Sequence, residues 1–134
     1  MSNFKHIFLV EDNEITVLLT TKLLEKTGKT DQITVCNNGK EAYERLTEML
    51  EHEDQLPALL FLDLVMPVWD GWEFLEKFSE KWDPEQLKIY ILTSSISRED
   101  MEKAEAFGLE ENYLVKPVSF QKLNDILDSL NGLT

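Results

Sequence analysis

Five short apolar runs alternate with segments of helical periodicity along the whole sequence. The runs occupy residues 6–10, 33–36, 59–62, 89–92 and 113–115. Most are apolar at successive positions rather than at every second one, which is typical of parallel strands that are covered on both faces. We therefore predict five parallel β-strands, each followed by a helix.

The intervening segments carry apolar residues three or four positions apart, the spacing of an amphipathic helix. Glycines lie where the first and fourth helices should end, at Gly28 and Gly108, and Asn38 and Ser97 are suited to cap the helices that follow them. The helical repeats comprise Ile15, Leu18, Leu19 and Leu23; Ala42, Leu46, Met49 and Leu50; Phe74, Leu75 and Phe78; Met101 and Ala104; and Phe120, Leu123, Ile126, Leu127 and Leu130.

A βα unit repeated five times predicts an α/β fold: a (βα)5 doubly wound, five-stranded parallel sheet with helices on both faces. The flavodoxin-like strand order 2-1-3-4-5 is the arrangement we expect. The length of 134 residues fits one domain, residues 1–134. Because the sequence ends at Thr134, soon after the fifth helix, we expect no output domain and a stand-alone protein.

Charge and cysteine content exclude several functions. The 26 acidic residues outnumber the 13 Lys and Arg, for a formal charge of −13, so we expect no nucleic acid partner and no contact with an anionic membrane. No apolar stretch approaches the roughly 20 residues of a membrane span, and we predict a cytoplasmic protein without membrane insertion. Cys36 is the only cysteine, which excludes an intramolecular disulfide and favours a packing role.

Polar side chains follow four of the predicted strands. Glu11 and Asp12 follow the first strand, Asp63 the third, Thr93 the fourth and Lys116 the fifth. The carboxyl ends of parallel strands share one edge, and the first and third strands meet at the topological switch point, where open α/β sheets bind ligands. Three carboxylates that meet there repel one another unless a proton or cation intervenes, and oxygen ligands suit Mg²⁺.

The same residue types suit phosphoryl chemistry. An aspartate can act as a nucleophile and form an acyl phosphate, while a metal ion neutralises phosphoryl oxygens. A lysine and a hydroxyl group can hold the remaining oxygens. A helix cap at Asp12 or Asp63, a loop hydrogen bond at Thr93 and charge compensation by Lys116 are the structural alternatives for these residues taken singly.

Taken together, these residues resemble the receiver domain of two-component response regulators, and the resemblance covers essentially the whole chain. The motifs that carry it are Glu11-Asp12, Asp63 followed by Met66-Pro67 and Asp70-Gly71, Thr93-Ser94, and Lys116-Pro117. The family more often has Asp-Asp where this chain has Glu-Asp. The resemblance implies a signalling switch rather than an enzyme, one that catalyses only its own phosphorylation and dephosphorylation.

By this resemblance, Asp63 is the phosphoacceptor and takes a phosphoryl group from the phosphohistidine of a sensor histidine kinase or a histidine phosphotransfer protein. The expected cofactor is Mg²⁺ or another divalent cation such as Mn²⁺. Its implied ligands are Glu11, Asp12, Asp63 and the backbone carbonyl of Val65. The phosphoryl group is expected to contact Thr93, Ser94 and Lys116, and the Lys116-Pro117 bond is expected to be cis.

The resemblance also implies how the signal leaves the site. Thr93 and Tyr113 would couple as a switch, and the surface of the fourth helix, fifth strand and fifth helix would meet an unknown downstream protein, as a monomer or a phosphorylation-dependent homodimer. Ser95, like Val65, would flank the path of the hydrolytic water. Trp69 is either a packing residue or an exposed docking residue.

Three other functions compete with this interpretation. An aspartyl-phosphate phosphatase typically has a second aspartate two residues after its nucleophile, whereas Asp63 is followed by Leu64-Val65. A flavodoxin-like cofactor carrier needs a phosphate-binding loop after the first strand, where residues 11–14 are mostly acidic. A pseudo-receiver would keep the fold and lack phosphorylation, and the complete set of site residues argues against it.

Overall fold

The computed structural model describes residues 5–130 and contains one parallel sheet in the order β2-β1-β3-β4-β5. The predicted (βα)5 arrangement is confirmed. The strands are β1 (Lys5–Val10), β2 (Thr30–Cys36), β3 (Leu59–Leu62), β4 (Lys88–Thr93) and β5 (Tyr113–Val115). The helices are α1 (Glu14–Lys26), α2 (Gly39–Glu51), α3 (Gly71–Phe78), α4 (Arg98–Ala106) and α5 (Phe120–Leu130), with a 3₁₀ turn at Glu110–Asn112.

Helices cover both faces of the sheet and create two apolar clusters. On one face, Leu46, Phe74 and Ala104 of α2, α3 and α4 pack against the strands. On the other face, Leu24 of α1 and Leu123 of α5 do the same. Every residue of β3 is fully buried, so the strand that leads to Asp63 is anchored on both faces. The predicted packing role of Cys36 is confirmed, since it belongs to the first cluster.

The apolar repeat of α1 coincides only in part with its buried face. Ile15, Leu18 and Leu19 are 69%, 54% and 57% exposed, whereas Thr20 and Leu24 are buried. The predicted helix is present, and Leu23, the last residue of the repeat, packs against the second apolar cluster. Periodicity finds an apolar stripe without telling whether the domain itself or a partner covers it.

The ends of the elements follow the local signals. Asn38 and Ser97 cap α2 and α4 as predicted, each accepting a backbone N–H from the first turn of its helix. Gly28 and Gly108 follow α1 and α4 with φ angles of 70° and 75°, which a residue with a side chain adopts only with strain. Within the described residues, no helix has the length and apolar content needed to cross a membrane.

Candidate functional site

Backbone hydrogen bonds extend the sheet past its strands and fix the residues at its carboxyl edge. The N–H of Glu11 donates to Cys36 O at 2.9 Å, and the N–H of Asp63 donates to Val10 O at 3.0 Å. The N–H of Lys116 donates to Thr93 O at 2.8 Å. The residues that follow β1, β3 and β5 are therefore joined to the neighbouring strands by the same kind of hydrogen bond as the strands themselves.

Three carboxylates meet at this edge, as the strand order predicted. One oxygen from each of Glu11, Asp12 and Asp63 lies within 4.8 Å of the others. Glu11 is 1% exposed and Asp63 is 6% exposed, while Asp12 faces solvent. Burial, with the adjacent Glu11 carboxyl group as a hydrogen-bond partner and a negative charge, raises the pKa of Asp63 to about 6.

Lys116 opposes this accumulation of negative charge. Its Nζ lies 2.7 Å from Glu11 Oε1 and 3.6 Å from Asp63 Oδ2, and its charge acts to lower the pKa of Asp63. The second oxygen of Glu11 accepts the backbone N–H of Asn13 at 3.1 Å. Glu11 is thus oriented from two sides, which aims the carboxylate cluster at the cleft.

The carboxylate cluster fits a hard divalent cation. Two of its three carboxylates are buried, and carboxylate oxygen is the ligand type that Mg²⁺ and Mn²⁺ prefer. Like charges this close, two of them partly removed from water, make a full set of negative charges costly. A cation held by Glu11, Asp12 and Asp63 would remove that cost. Metal binding at this cluster is therefore chemically favourable.

A cleft of about 760 Å³ opens over these acids. Asp63, Ser94 and Lys116 line it together, as do Val65 from the loop after β3 and Ile15 from the start of α1. Thr93 is 1% exposed and does not line the cleft. The structure thus brings the proposed metal ligands, Ser94 and Lys116 together at one cleft. Thr93, Ser95 and Tyr113, which were also proposed from the sequence, do not line it.

Thr93 and Tyr113 both contact Ser95. The backbone N–H of Ser95 donates to Thr93 Oγ1 at 3.3 Å, and the Tyr113 hydroxyl donates to the Ser95 carbonyl at 2.9 Å. The switch pair implied by the resemblance is therefore joined through one residue of the loop between β4 and α4. The Lys116-Pro117 bond is cis, as expected.

The loop between β3 and α3 is tightly packed and conformationally strained. A Cβ atom at Gly71 would lie 2.6 Å from Asp63 O, and one at Gly39 would lie 2.6 Å from Trp69 O. Val68 and Trp69 have φ angles of 48° and 65°, a conformation that costs energy for residues with side chains, above all for a β-branched one. Strain of this kind accumulates at functional loops.

Trp69 is half-buried rather than projecting from this loop. Its ring packs edge-on against Tyr43 with centroids 5.3 Å apart, and Lys77 Nζ lies 5.8 Å from the ring centroid. These contacts are those of a packing residue. Its docking role stays a hypothesis.

Some contributions to the site were not predicted from the sequence. Asn13 caps α1 and binds Glu11 through its backbone, and the signal was available: an Asn that follows the acid pair directly before a helix. Asp100, in the first turn of α4, binds Trp72 and Ser95. No local pattern indicates the contact with Trp72, because the two residues are 28 positions apart.

Comparison with known proteins agrees with this geometry. The family model of the response regulator receiver domain matches residues 7–128. The probable methanogenesis regulatory protein FilR2 of Methanothrix harundinacea is 31% identical over 92% of this chain and 79% of its own length.

Two solved structures share the fold. A two-component response regulator from Cytophaga hutchinsonii aligns with a TM-score of 0.82 and 25% identity, covering 96% of this chain and 97% of its own. The phosphorylated cyanobacterial phytochrome response regulator RcpA aligns with a TM-score of 0.73 and 27% identity, covering 95% and 91% of the two chains.

Proposed function

The chain belongs to the response regulator receiver domain family, and we propose that it accepts a phosphoryl group on Asp63 in a Mg²⁺-dependent step. The observation that carries this proposal is the cleft where Asp63 lies beside Glu11, Asp12 and Lys116. A similar protein, RcpA, is described as phosphorylated. The donor we propose is the phosphohistidine of a sensor histidine kinase or of a histidine phosphotransfer protein.

In the proposed reaction, a carboxylate oxygen of Asp63 attacks the phosphorus atom of phosphohistidine. A P–O bond forms as the P–N bond breaks, and the electron pair leaves with the imidazole nitrogen. Lys116 and the hydroxyl of Ser94, with Thr93 after a small movement of its loop, hold the phosphoryl oxygens. A divalent ion held by Glu11, Asp12, Asp63 and the carbonyl of Val65 supplies charge neutralisation.

Exposed apolar side chains at the cleft suit a protein donor. Ile15 of α1 and Val65 line the cleft and are 69% and 72% exposed. Leu18, Leu19 and Val68 are further exposed apolar residues of the same two segments. Clusters of exposed apolar residues on a small domain mark interaction surfaces. We infer that the phosphohistidine donor docks here, because Ile15 and Val65 line the same cleft as Asp63.

The proposed output is a conformational change read by another protein in the cytoplasm. Formation of the acyl phosphate displaces Thr93, and Ser95 transmits the movement to Tyr113. Met101 and Val115, 42% and 40% exposed, present apolar surface on this side of the domain. The downstream protein or a second phosphorylated copy would bind there, and the strong negative charge disfavours nucleic acid.

Phosphoramidate, a small donor with a P–N bond, tests the function directly. Incubation with this donor and Mg²⁺ should add the mass of one phosphoryl group to the intact protein, and EDTA should prevent the addition. Unchanged mass with both phosphoramidate and acetyl phosphate would contradict the proposal and favour a pseudo-receiver.

A further inference from the structure

Ser95 is held by hydrogen bonds in three directions. Its N–H donates to Thr93 Oγ1, its carbonyl accepts from Tyr113, and its hydroxyl donates to Asp100 Oδ2 at 2.6 Å. Ser94, the residue between Thr93 and Ser95, lines the cleft. Residues 93–95, which carry hydroxyl groups toward the cleft, are therefore held in place by residues that lie outside the cleft.

Asp100 uses its two carboxylate oxygens for two different partners. Oδ2 accepts from Ser95, while Oδ1 accepts from the indole Nε1 of Trp72 at 2.9 Å. The hydrogen bond from Ser95, followed by those from Trp72 and Ser97, lowers the pKa of Asp100. Hydrogen bonds to a carboxylate are stronger than those between neutral groups. One side chain thus joins the loop after β4 to the first turns of α3 and α4.

Trp72, a residue of α3, packs against α4 and the residue that follows it. Its ring stacks on Phe107 with centroids 5.9 Å apart and planes 13° apart, and Lys103 Nζ lies 5.9 Å from the ring centroid. Of α4, all of which lies in the described part of the chain, only Ala104 is buried. Trp72 and Asp100 therefore add to the contact that Ala104 makes between α4 and the rest of the domain.

We propose that Asp100 is a positioning residue for phosphoryl transfer, which fixes the segment 93–95 against the cleft by binding Ser95 and Trp72 at once. The inference rests on the proposed function of Asp63. Ser94 shares the cleft with Asp63 and Lys116, so by fixing the segment Asp100 holds Ser94 where it can bind a phosphoryl oxygen. Breaking the hydrogen bonds of Asp100 therefore slows phosphoryl transfer. Movement of the segment also reaches α4 through Trp72.

Three substitutions break the connection at different points. Asp100→Asn leaves one acceptor oxygen for two donors, Ser95→Ala removes one donor, and Trp72→Phe removes the other donor while keeping a ring to stack on Phe107. The matched control is Trp82→Phe, which removes an equivalent indole hydrogen bond to Leu87 O at 2.7 Å. Trp82 lies between α3 and β4, in a segment that does not line the cleft.

The rate of phosphoryl uptake from acetyl phosphate and Mg²⁺, followed by intact mass, tests the proposal. We expect the uptake rate to fall roughly threefold or more in the three variants, because each loses about the free energy of one hydrogen bond. The rate should stay unchanged in Trp82→Phe. Asp100→Asn combined with Ser95→Ala should be little slower than the slower single variant, because both break the same connection. Equal rates in the wild type and all variants would overturn the role of Asp100.

Fluorescence separates positioning from a general loss of stability. The chain has three tryptophans, so Trp69→Phe with Trp82→Phe leaves Trp72 as the only indole. Its emission should change on phosphoryl loading, and adding Ser95→Ala should remove the change while loading, though slower, still occurs. If the Trp69→Phe, Trp82→Phe protein takes up the phosphoryl group without any change in its emission, the coupling between residues 93–95 and Trp72 is contradicted. If the wild type takes up no phosphoryl group, the proposed function itself fails.

Discussion

The ammonium group of Lys116 lies closer to Glu11 than to Asp63, at 2.7 Å against 3.6 Å. This partly buried ion pair links the end of β5 to the end of β1 and leaves the charge of the Asp63 carboxylate only partly compensated. The arrangement lets Lys116 orient the acid cluster and still reach a phosphoryl group on Asp63. Removing the lysine should therefore affect both the charge balance and the reaction.

Lys116→Ala should slow phosphoryl uptake from acetyl phosphate by at least about tenfold, because a cation that stabilises the transferred oxygens is lost. The pKa of Asp63 should also rise further above about 6, since the Lys116 charge lowers it. Intact mass followed over time across a pH series measures both effects. A profile identical to that of the wild type would exclude Lys116 from the site.

Asp63→Asn should stabilise the metal-free protein at pH 7.5 by about 1 kcal/mol, less than the full equivalent of the pKa shift because the cleft is open to solvent. The folded pKa of about 6 exceeds the model value of 3.8, so the folded chain holds this proton more tightly. The stability that the proton contributes is lost as pH rises from about 4 through 6.

Urea unfolding of both proteins in EDTA, at pH 4 and at pH 7.5, tests this sign. The difference in the free energy of unfolding should be small at pH 4 and should favour Asp63→Asn at pH 7.5. A wild type that is the more stable protein at pH 7.5 would show that Asp63 is stabilised as a carboxylate without metal.

Gly71→Ala should both destabilise the fold and disturb the reaction. The added Cβ would meet Asp63 O at 2.6 Å, so the backbone of the proposed phosphoacceptor must shift, at a cost of about 1–3 kcal/mol. Gly28→Ala is the control: its φ of 70° makes it destabilising, yet it has open space and lies far along the chain from the cleft residues. Only Gly71→Ala should slow phosphoryl uptake. Equal uptake rates would separate Gly71 from the site.

Leu18→Ser should weaken transfer from a protein donor without changing uptake from acetyl phosphate, because the small donor needs no docking surface. We expect transfer from a phosphorylated histidine kinase or phosphotransfer protein that serves the wild type to fall about tenfold. Met101→Ser removes an exposed apolar side chain from the opposite side of the domain and should leave transfer unchanged. Equal effects of both variants would place the donor elsewhere.

The sheet and the acid cluster could be predicted from the sequence because both follow from local order. Apolar runs mark the strands, and Glu11, Asp12, Asp63 and Lys116 follow them directly. The sequence does not show which residues of the α1 repeat are buried, since periodicity cannot tell a core-facing stripe from one that faces solvent. The Trp72–Asp100 hydrogen bond was missed because it joins residues of two helices that are neighbours only in the fold.

The most direct test of the account is the location of the phosphoryl group. After incubation with acetyl phosphate and Mg²⁺, borohydride reduces an aspartyl phosphate to homoserine, which peptide mass spectrometry assigns to a single position. We predict homoserine at position 63 alone and none in Asp63→Asn. Homoserine at another acidic residue, or none anywhere in the wild type, would contradict the assignment of Asp63 as the phosphoacceptor.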